Sequence, residues 1–169
     1  MSLVQLRSRG ILDGTISAGD LATGVGGKVL QVVNATDSTS RSSSTVNTWI
    51  TISNTLSVTL TPSSASNKVF IMANFNLHVS TNETYGQGTI YRGATNIGNS
   101  NGGMSRIWSK VSSIPVFPMA ISVLDSPNTT SATTYQVYLY VSTGTSSTIY
   151  FNGLDSNIQS SITAFEIAG

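Results

Sequence analysis

Lys68-Val-Phe-Ile-Met-Ala-Asn-Phe-Asn-Leu-His-Val79 alternates on one register, because Val69, Ile71, Ala73, Phe75, Leu77 and Val79 are all apolar. A period of two describes a β-strand with one buried face; a helix would scatter these positions around its circumference. The intervening positions read Phe70, Met72, Asn74, Asn76 and His78, apolar at the start and polar at the end. The pattern predicts a central strand of a sandwich. It should be buried on both faces where Phe70 and Met72 lie, its second face covered there by a neighbouring subunit or loop, and on one face at its polar end. His78 is accordingly expected at a surface or an interface.

The same device recurs outward from this strand. Tyr135, Val137, Leu139 and Val141 alternate with Gln136, Tyr138 and Tyr140; Leu56, Val58 and Leu60 alternate with Ser57 and Thr59. Phe117, Met119, Ile121 and Val123 alternate with Pro118, Ala120 and Ser122. Pro118 has no N–H to give to a ladder, so that strand should begin or lie at an edge there. Shorter strands are expected at 29–33, 48–52, 89–92, 105–110, 148–151 and 161–167, the last of ambiguous facing because Ile162 and Ala164 point opposite to Phe165 and Ile167. Thr61-Pro-Ser-Ser-Ala-Ser-Asn67, Asn101-Gly-Gly103 and Asp125-Ser-Pro-Asn128 are turn chemistry between these runs. Together they predict an all-β antiparallel two-sheet sandwich, jelly-roll-like, over 28–169.

Composition agrees. Ser and Thr make up roughly 30% of the 169 residues, and the usual fillers of exposed helix positions are scarce. With 39% hydrophobic residues the chain can bury a core, and with no cysteine it has neither disulfides nor thiolate metal sites. Only 9% of residues are charged and the net charge is +1, far from the basic balance of a nucleic-acid binder. No run is long and apolar enough for a signal-peptide core or a membrane-spanning helix, so synthesis in a host cytoplasm and no membrane partner are expected. The sequons at Asn34, Asn82 and Asn128 are chance products of so much Ser and Thr.

Residues 1–27 differ in character. They hold many glycines and few apolar side chains, so they are expected to be an extended N-terminal arm, ordered only against another surface. Its anchors would be Leu6, Ile11, Leu12, Ile16 and Leu21, with Arg7 and Arg9 available to acidic groups or serving only to solubilise the terminus. Ser17 and Asp20 are spaced to cap one helical turn, and Gly26-Gly27 reads as a hinge into the first strand.

Asp13-Gly-Thr-Ile16, Asp20-Leu-Ala22, Gly27-Lys-Val-Leu-Gln-Val32 and Thr163-Ala-Phe-Glu-Ile167 together resemble a group of accessory virion proteins and tail-fibre segments of tailed bacteriophages. In that group an arm of this type precedes a Gly-Lys-Val-Leu-Gln-Val strand, and the β domain closes on a Thr-Ala-Phe/Met-Glu-Ile strand. The resemblance implies a virion location and, with it, a virion structural protein, partnered by a major capsid protein or another virion protein. The second apolar face at Phe70 and Met72 and the Tyr138/Tyr140 stripe predict a subunit interface and hence a homo-oligomer; the resemblance implies a trimer.

No chemistry-bearing constellation stands out. The seven carboxylates are dispersed, His78 is the single histidine, and no nucleophile elbow or phosphate loop occurs. The expectation is a protein that is not an enzyme, with no catalytic residues, no metal and no cofactor. Two functions of different class remain. One is a capsid decoration (cement) protein that attaches through its arm and stabilises the shell. The other is a tail-fibre receptor-binding module, in which Tyr85, Tyr91 and Trp108, with the amides of Gln87, Asn96, Asn99 and Asn101, bind a host surface glycan. A lectin-like accessory module has no motif behind it. The shortness of the arm, beside the shaft and anchor that a fibre needs, places decoration first.

Overall fold

Thr84-Tyr-Gly-Gln-Gly88 carries no apolar alternation, yet it continues a strand that runs to Arg92 through the middle of a sheet. The cause lies across the core, where Phe75 and Leu77 are bulky. A Cβ on Gly86 would stand 2.9 Å from Leu77 Cδ2, and one on Gly88 would stand 2.6 Å from Phe75 Cζ. The glycines are the counterpart of those large side chains.

The computed structural model describes residues 28–80, 84–109, 116–142, 147–153 and 158–169. They form 11 strands: β1 (Val29–Asp37), β2 (Arg41–Ser43), β3 (Ser57–Leu60), β4 (Lys68–Val79), β5 (Thr84–Arg92), β6 (Thr95–Asn96), β7 (Ser105–Ser109), β8 (Phe117–Asp125), β9 (Thr133–Val141), β10 (Ile149–Phe151) and β11 (Ser160–Ile167). One sheet, here sheet A, runs β1-β11-β4-β10-β2 with β8 also on β4; sheet B runs β3-β9-β5-β6 with β7 also on β5. All the pairs are antiparallel.

Several of these strands are interrupted halves of one row. β11 pairs with Lys68 to Asn74 of β4 and β10 with Leu77 to Val79, while β1 and β2 pair with β11 and β10 respectively. Likewise β7 faces Thr84 to Gly88 of β5 and β6 faces Tyr91 and Arg92. Sheet A is then the rows β1/β2, β10/β11, β4, β8, and sheet B the rows β3, β9, β5, β6/β7. Counted in chain order the rows lie 1-8-3-6 and 2-7-4-5, the double-sheet arrangement of a jelly roll. The sandwich is as expected.

Between the sheets lie Val69, Ile71, Ala73, Phe75, Leu77 and Val79 from β4, facing Tyr135, Val137, Leu139 and Val141 from β9, all of them buried. Ile162 and Ala164 also face this core, which settles β11: Phe165 points outward and packs on Phe70 with ring centroids 6.2 Å apart. Pro118 sits next to the first residue of β8, and β8 pairs only with β4 among the described residues, so it is a sheet edge. Polar clasps close the ends. Arg92 Nη1 donates to both Asp125 oxygens at 2.8 and 2.9 Å and the Tyr135 hydroxyl donates to Asp125 Oδ2 at 2.8 Å, tying β8 of one sheet to β5 and β9 of the other. Glu166 receives Ser63 N at 2.6 Å, Ser63 Oγ at 2.7 Å and Asn67 Nδ2 at 2.7 Å, fixing the turn before β4 to the last strand.

Three expectations change. Residues 48–52 form no strand; Ile50 alone bridges Leu139, because the chain there follows β9 through isolated contacts, Asn47 N to Val141 O and Val137 N to Leu56 O, before β3 takes up a regular pairing. β2 and β6 were too short to show an alternation, and β5 begins earlier than 89 for the reason given above. The polar end of the outer face of β4 departs from expectation, with His78 fully buried, while in the single chain Phe70 is half-buried and Met72 is 41% exposed where a neighbouring subunit or loop was expected. Cross-strand Tyr150 covers the imidazole, the rings stacking at 4.8 Å. Residues 1–27, and with them Leu6, Arg7, Arg9, Ile11, Leu12, Ile16, Leu21 and the Ser17/Asp20 turn, lie outside the described residues.

Candidate binding surfaces

The alternation that sends Ile90, Val137 and Leu139 inward sends Tyr85, Gln87, Thr89 and Tyr91 of β5, and Gln136, Tyr138 and Tyr140 of β9, to the outer face of sheet B. Register then decides who meets. Trp108 lies opposite Tyr85 and Arg106 opposite Gln87 on one side; Tyr140 lies opposite Gln87 and Tyr138 opposite Thr89 on the other. Tyr85 and Trp108 stack with centroids 5.8 Å apart at 21°, and the Arg106 guanidinium carbon stands 5.0 Å from the Tyr85 centroid. Further along, Tyr91 stacks on Tyr138 at 3.9 Å and Trp49 tilts against Tyr140 at 5.3 Å.

Residues 97–104 fold back over the middle of this face. Met104 N donates to Gly88 O at 2.8 Å and Trp49 Nε1 to Ser100 O at 3.1 Å, which buries Gln87 and Thr89 beneath the loop. Gly103 makes the fold-back possible: its φ is +64°, and a Cβ there would stand 2.7 Å from Trp49 and 2.6 Å from Gly88 O. In the amide orientation that satisfies both ends of Gln87, Nε2 donates to Asn101 O at 3.2 Å and Oε1 accepts from Arg106 Nη2 at 3.3 Å. Arg106 Nη2 also donates to Asn101 O at 3.2 Å. The guanidinium is therefore positioned by neutral oxygens and an aromatic ring.

The charge balance sharpens this. Asp37 is bonded to Arg41, Ser53 and the Thr39 amide, Asp125 to Arg92 and Tyr135, and Glu166 to Ser63 and Asn67. Burial alone would raise the Asp37 and Glu166 carboxyls, but these hydrogen bonds outweigh it and hold both below their ordinary values. Every described carboxylate is thus spent inside the fold, and none of them is bonded to Arg106. Among the described residues no group of His, Asp and Glu is placed to hold a metal ion.

Sheet A presents a different surface. Val32 pairs with Phe165, Phe165 with Phe70 and Phe70 with Leu124, so one apolar row crosses β1, β11, β4 and β8 on the outer face. Val32 is 54% exposed and Leu124 52%. Leu30 and Met72 are exposed beside the row.

The expected site residues thus divide between two opposite sides. Phe70 belongs to the apolar row of sheet A and Met72 lies beside it, whereas Tyr138 and Tyr140 stand on sheet B. Tyr85 and Trp108 meet; Tyr91 stacks instead on Tyr138, at the far end of the face. Asn96 and Asn99 serve the loop: Asn96 Oδ1 accepts from Thr89 Oγ1 at 2.8 Å and Gly98 N at 2.9 Å, and Asn99 Oδ1 accepts from the amides of Asn101 and Gly102. Arg106 and Trp49 were not foreseen. The signal for Arg106 was its two-residue offset from Trp108, which places both on one face of any strand.

No protein-family model matches the chain, and no curated protein matches it. Among solved structures it is similar to the crystal structure of the infectious bursal disease virus VP2 subviral particle, at 15% identity and a TM-score of 0.37 over 82% of this chain. The chain spans 37% of the length of that protein.

Proposed function

We propose that the chain is a non-enzymatic virion structural protein of a tailed phage, a capsid decoration protein held on the particle by its N-terminal arm and by the outer face of sheet A. The observation that carries the reading is the apolar row Val32, Phe165, Phe70, Leu124, open on the face of the sheet whose first strand follows directly from the arm. A soluble β domain rarely leaves such a row uncovered unless another protein covers it. Covering a few hundred Å² of it at about 25 cal/mol per Å² contributes several kcal/mol per subunit, multiplied by avidity in a homotrimer. The resemblance of both chain ends to accessory virion proteins supports the same reading. The test is co-sedimentation of full-length protein and of a variant lacking residues 1–27 with particles that lack the protein. Retained binding by the full chain and a sharp fall on truncation are expected; equal binding would remove the arm from the attachment.

A second reading is favoured by the Tyr85, Trp108 and Arg106 cluster, which suits a receptor-binding module that recognises a glycan on the host surface. Half-exposed Trp108 beside polar side chains is the kind of surface on which the C–H face of a sugar ring packs. Binding of full-length protein to immobilised oligosaccharides tests it, and loss on Trp108→Ala is expected.

A further inference from the structure

Arg106 carries the step beyond these readings. Its guanidinium is held over Tyr85 at 5.0 Å and tethered through Nη2 to Asn101 O and the Gln87 amide, so its position is set before any ligand arrives. Nη2 makes both of those contacts, which leaves the Nη1 and Nε donors directed to no described group. No described carboxylate compensates its charge, in contrast to Arg41 and Arg92, each paired with an aspartate. Trp108, 51% exposed, and the Arg106 guanidinium both pack on the Tyr85 ring, at 5.8 and 5.0 Å from its centroid, so an aromatic platform and a cation flank one side chain.

From this geometry we infer that the β5/β7 face takes a carboxylate-bearing sugar, with a pyranose ring on the Trp108 indole and its carboxylate on the Arg106 guanidinium. The inference rests on the glycan reading above and narrows it to acidic glycans. A carboxylate oxygen accepts from the Nη1 or Nε donor that the Nη2 contacts leave available, and a charge-assisted bond of this kind is stronger than a neutral one. Cation–π contact with Tyr85 keeps the guanidinium from collapsing onto the surface. A polyanion such as nucleic acid fits poorly, because among the described residues this face holds one uncompensated cation, short of the several phosphate contacts on which such affinity depends.

The experiment measures binding of the full chain, by tryptophan fluorescence and titration calorimetry, to sialate- and hexuronate-terminated oligosaccharides. Each is matched with the same oligosaccharide whose carboxylate has been reduced to the alcohol. The acidic member should bind at least tenfold tighter, with a preference that shrinks as salt rises. Arg106→Gln should bring the two members together while Trp108→Ala weakens both, each variant keeping the melting midpoint within a few degrees. Should Arg106→Gln unfold, the acidic-to-reduced ratio of the unaltered protein decides alone. Equal affinity within each pair would overturn the acidic assignment and leave the glycan reading standing; binding to no oligosaccharide would overturn both.

Discussion

His78 is buried and packed flat on Tyr150, its ring nitrogens bonded to no side chain among the described residues, and this makes the fold sensitive to mild acid. Burial pushes the imidazole below its ordinary value of 6.5, outweighing the Val79 backbone, which acts to raise it. The folded protein therefore holds His78 neutral while the unfolded chain takes up a proton, so stability falls as pH drops below about 6.5 toward the lowered folded value. A melting midpoint that declines between neutral pH and pH ~5 is expected, with that decline absent in His78→Phe. Asp37 and Glu166 act in a separate, more acidic window: their lowered values stabilise the fold above the ordinary carboxylate range, and the contribution is lost as pH falls through the folded values. An acid limb that begins only there in unaltered protein would show that His78 is not held neutral. Gly88 is a second sensitive point. Its missing side chain is the space that Phe75 occupies, so Gly88→Ala should cost about 1–3 kcal/mol through overpacking, read as a lower urea midpoint with unchanged slope.

Strands carry their own lesson, and the clasp at the end of β8 gives it a measurable form. Asp125 is the shared acceptor of Arg92 and of the buried Tyr135 hydroxyl, so Asp125→Ala leaves that hydroxyl unpaired between the sheets. A loss of about 2–3 kcal/mol in urea unfolding is expected; a loss under half of that would mean the hydroxyl finds another partner. β4, β8 and β9 were legible in the sequence because their inward positions hold side chains large enough to mark a period of two. β5 was half hidden, since its inward positions are Gly86 and Gly88, whose role is to make room for residues of another strand far away in sequence. His78 was misplaced for a related reason: polarity marks cost, and here the imidazole is buried against an aromatic ring that pairs with it only after β10 docks. The candidate site divides the same way. Tyr85 and Trp108 were nameable as aromatics, but their contact depends on the β5/β7 register, which neither strand reveals alone. Arg106 went unread because its significance lies in which carboxylates are already occupied, a property of the folded chain.

At the scale of the molecule, the jelly roll separates two kinds of surface by the thickness of its core. Sheet A offers an apolar row and sheet B an aromatic face that carries Arg106, uncompensated among the described residues, so assembly and recognition should be separable by mutation. Placing charge on the row at its two most exposed points, Val32→Lys with Leu124→Lys, sets ammonium groups where a covering protein would have to bury them. Both side chains are about half exposed, so the fold itself loses little, and the melt should remain cooperative within a few degrees of the unaltered protein. Light scattering should then report the unaltered chain as a homo-oligomer, with a trimer's mass, and the double variant as a smaller species, and co-sedimentation with particles lacking the protein should fall by at least tenfold. Trp108→Ala, on the opposite sheet, should change neither. If the double variant keeps the mass and the particle binding of the unaltered chain, the apolar row is a bystander, and attachment must run through the arm or through the Tyr138 and Tyr140 face instead.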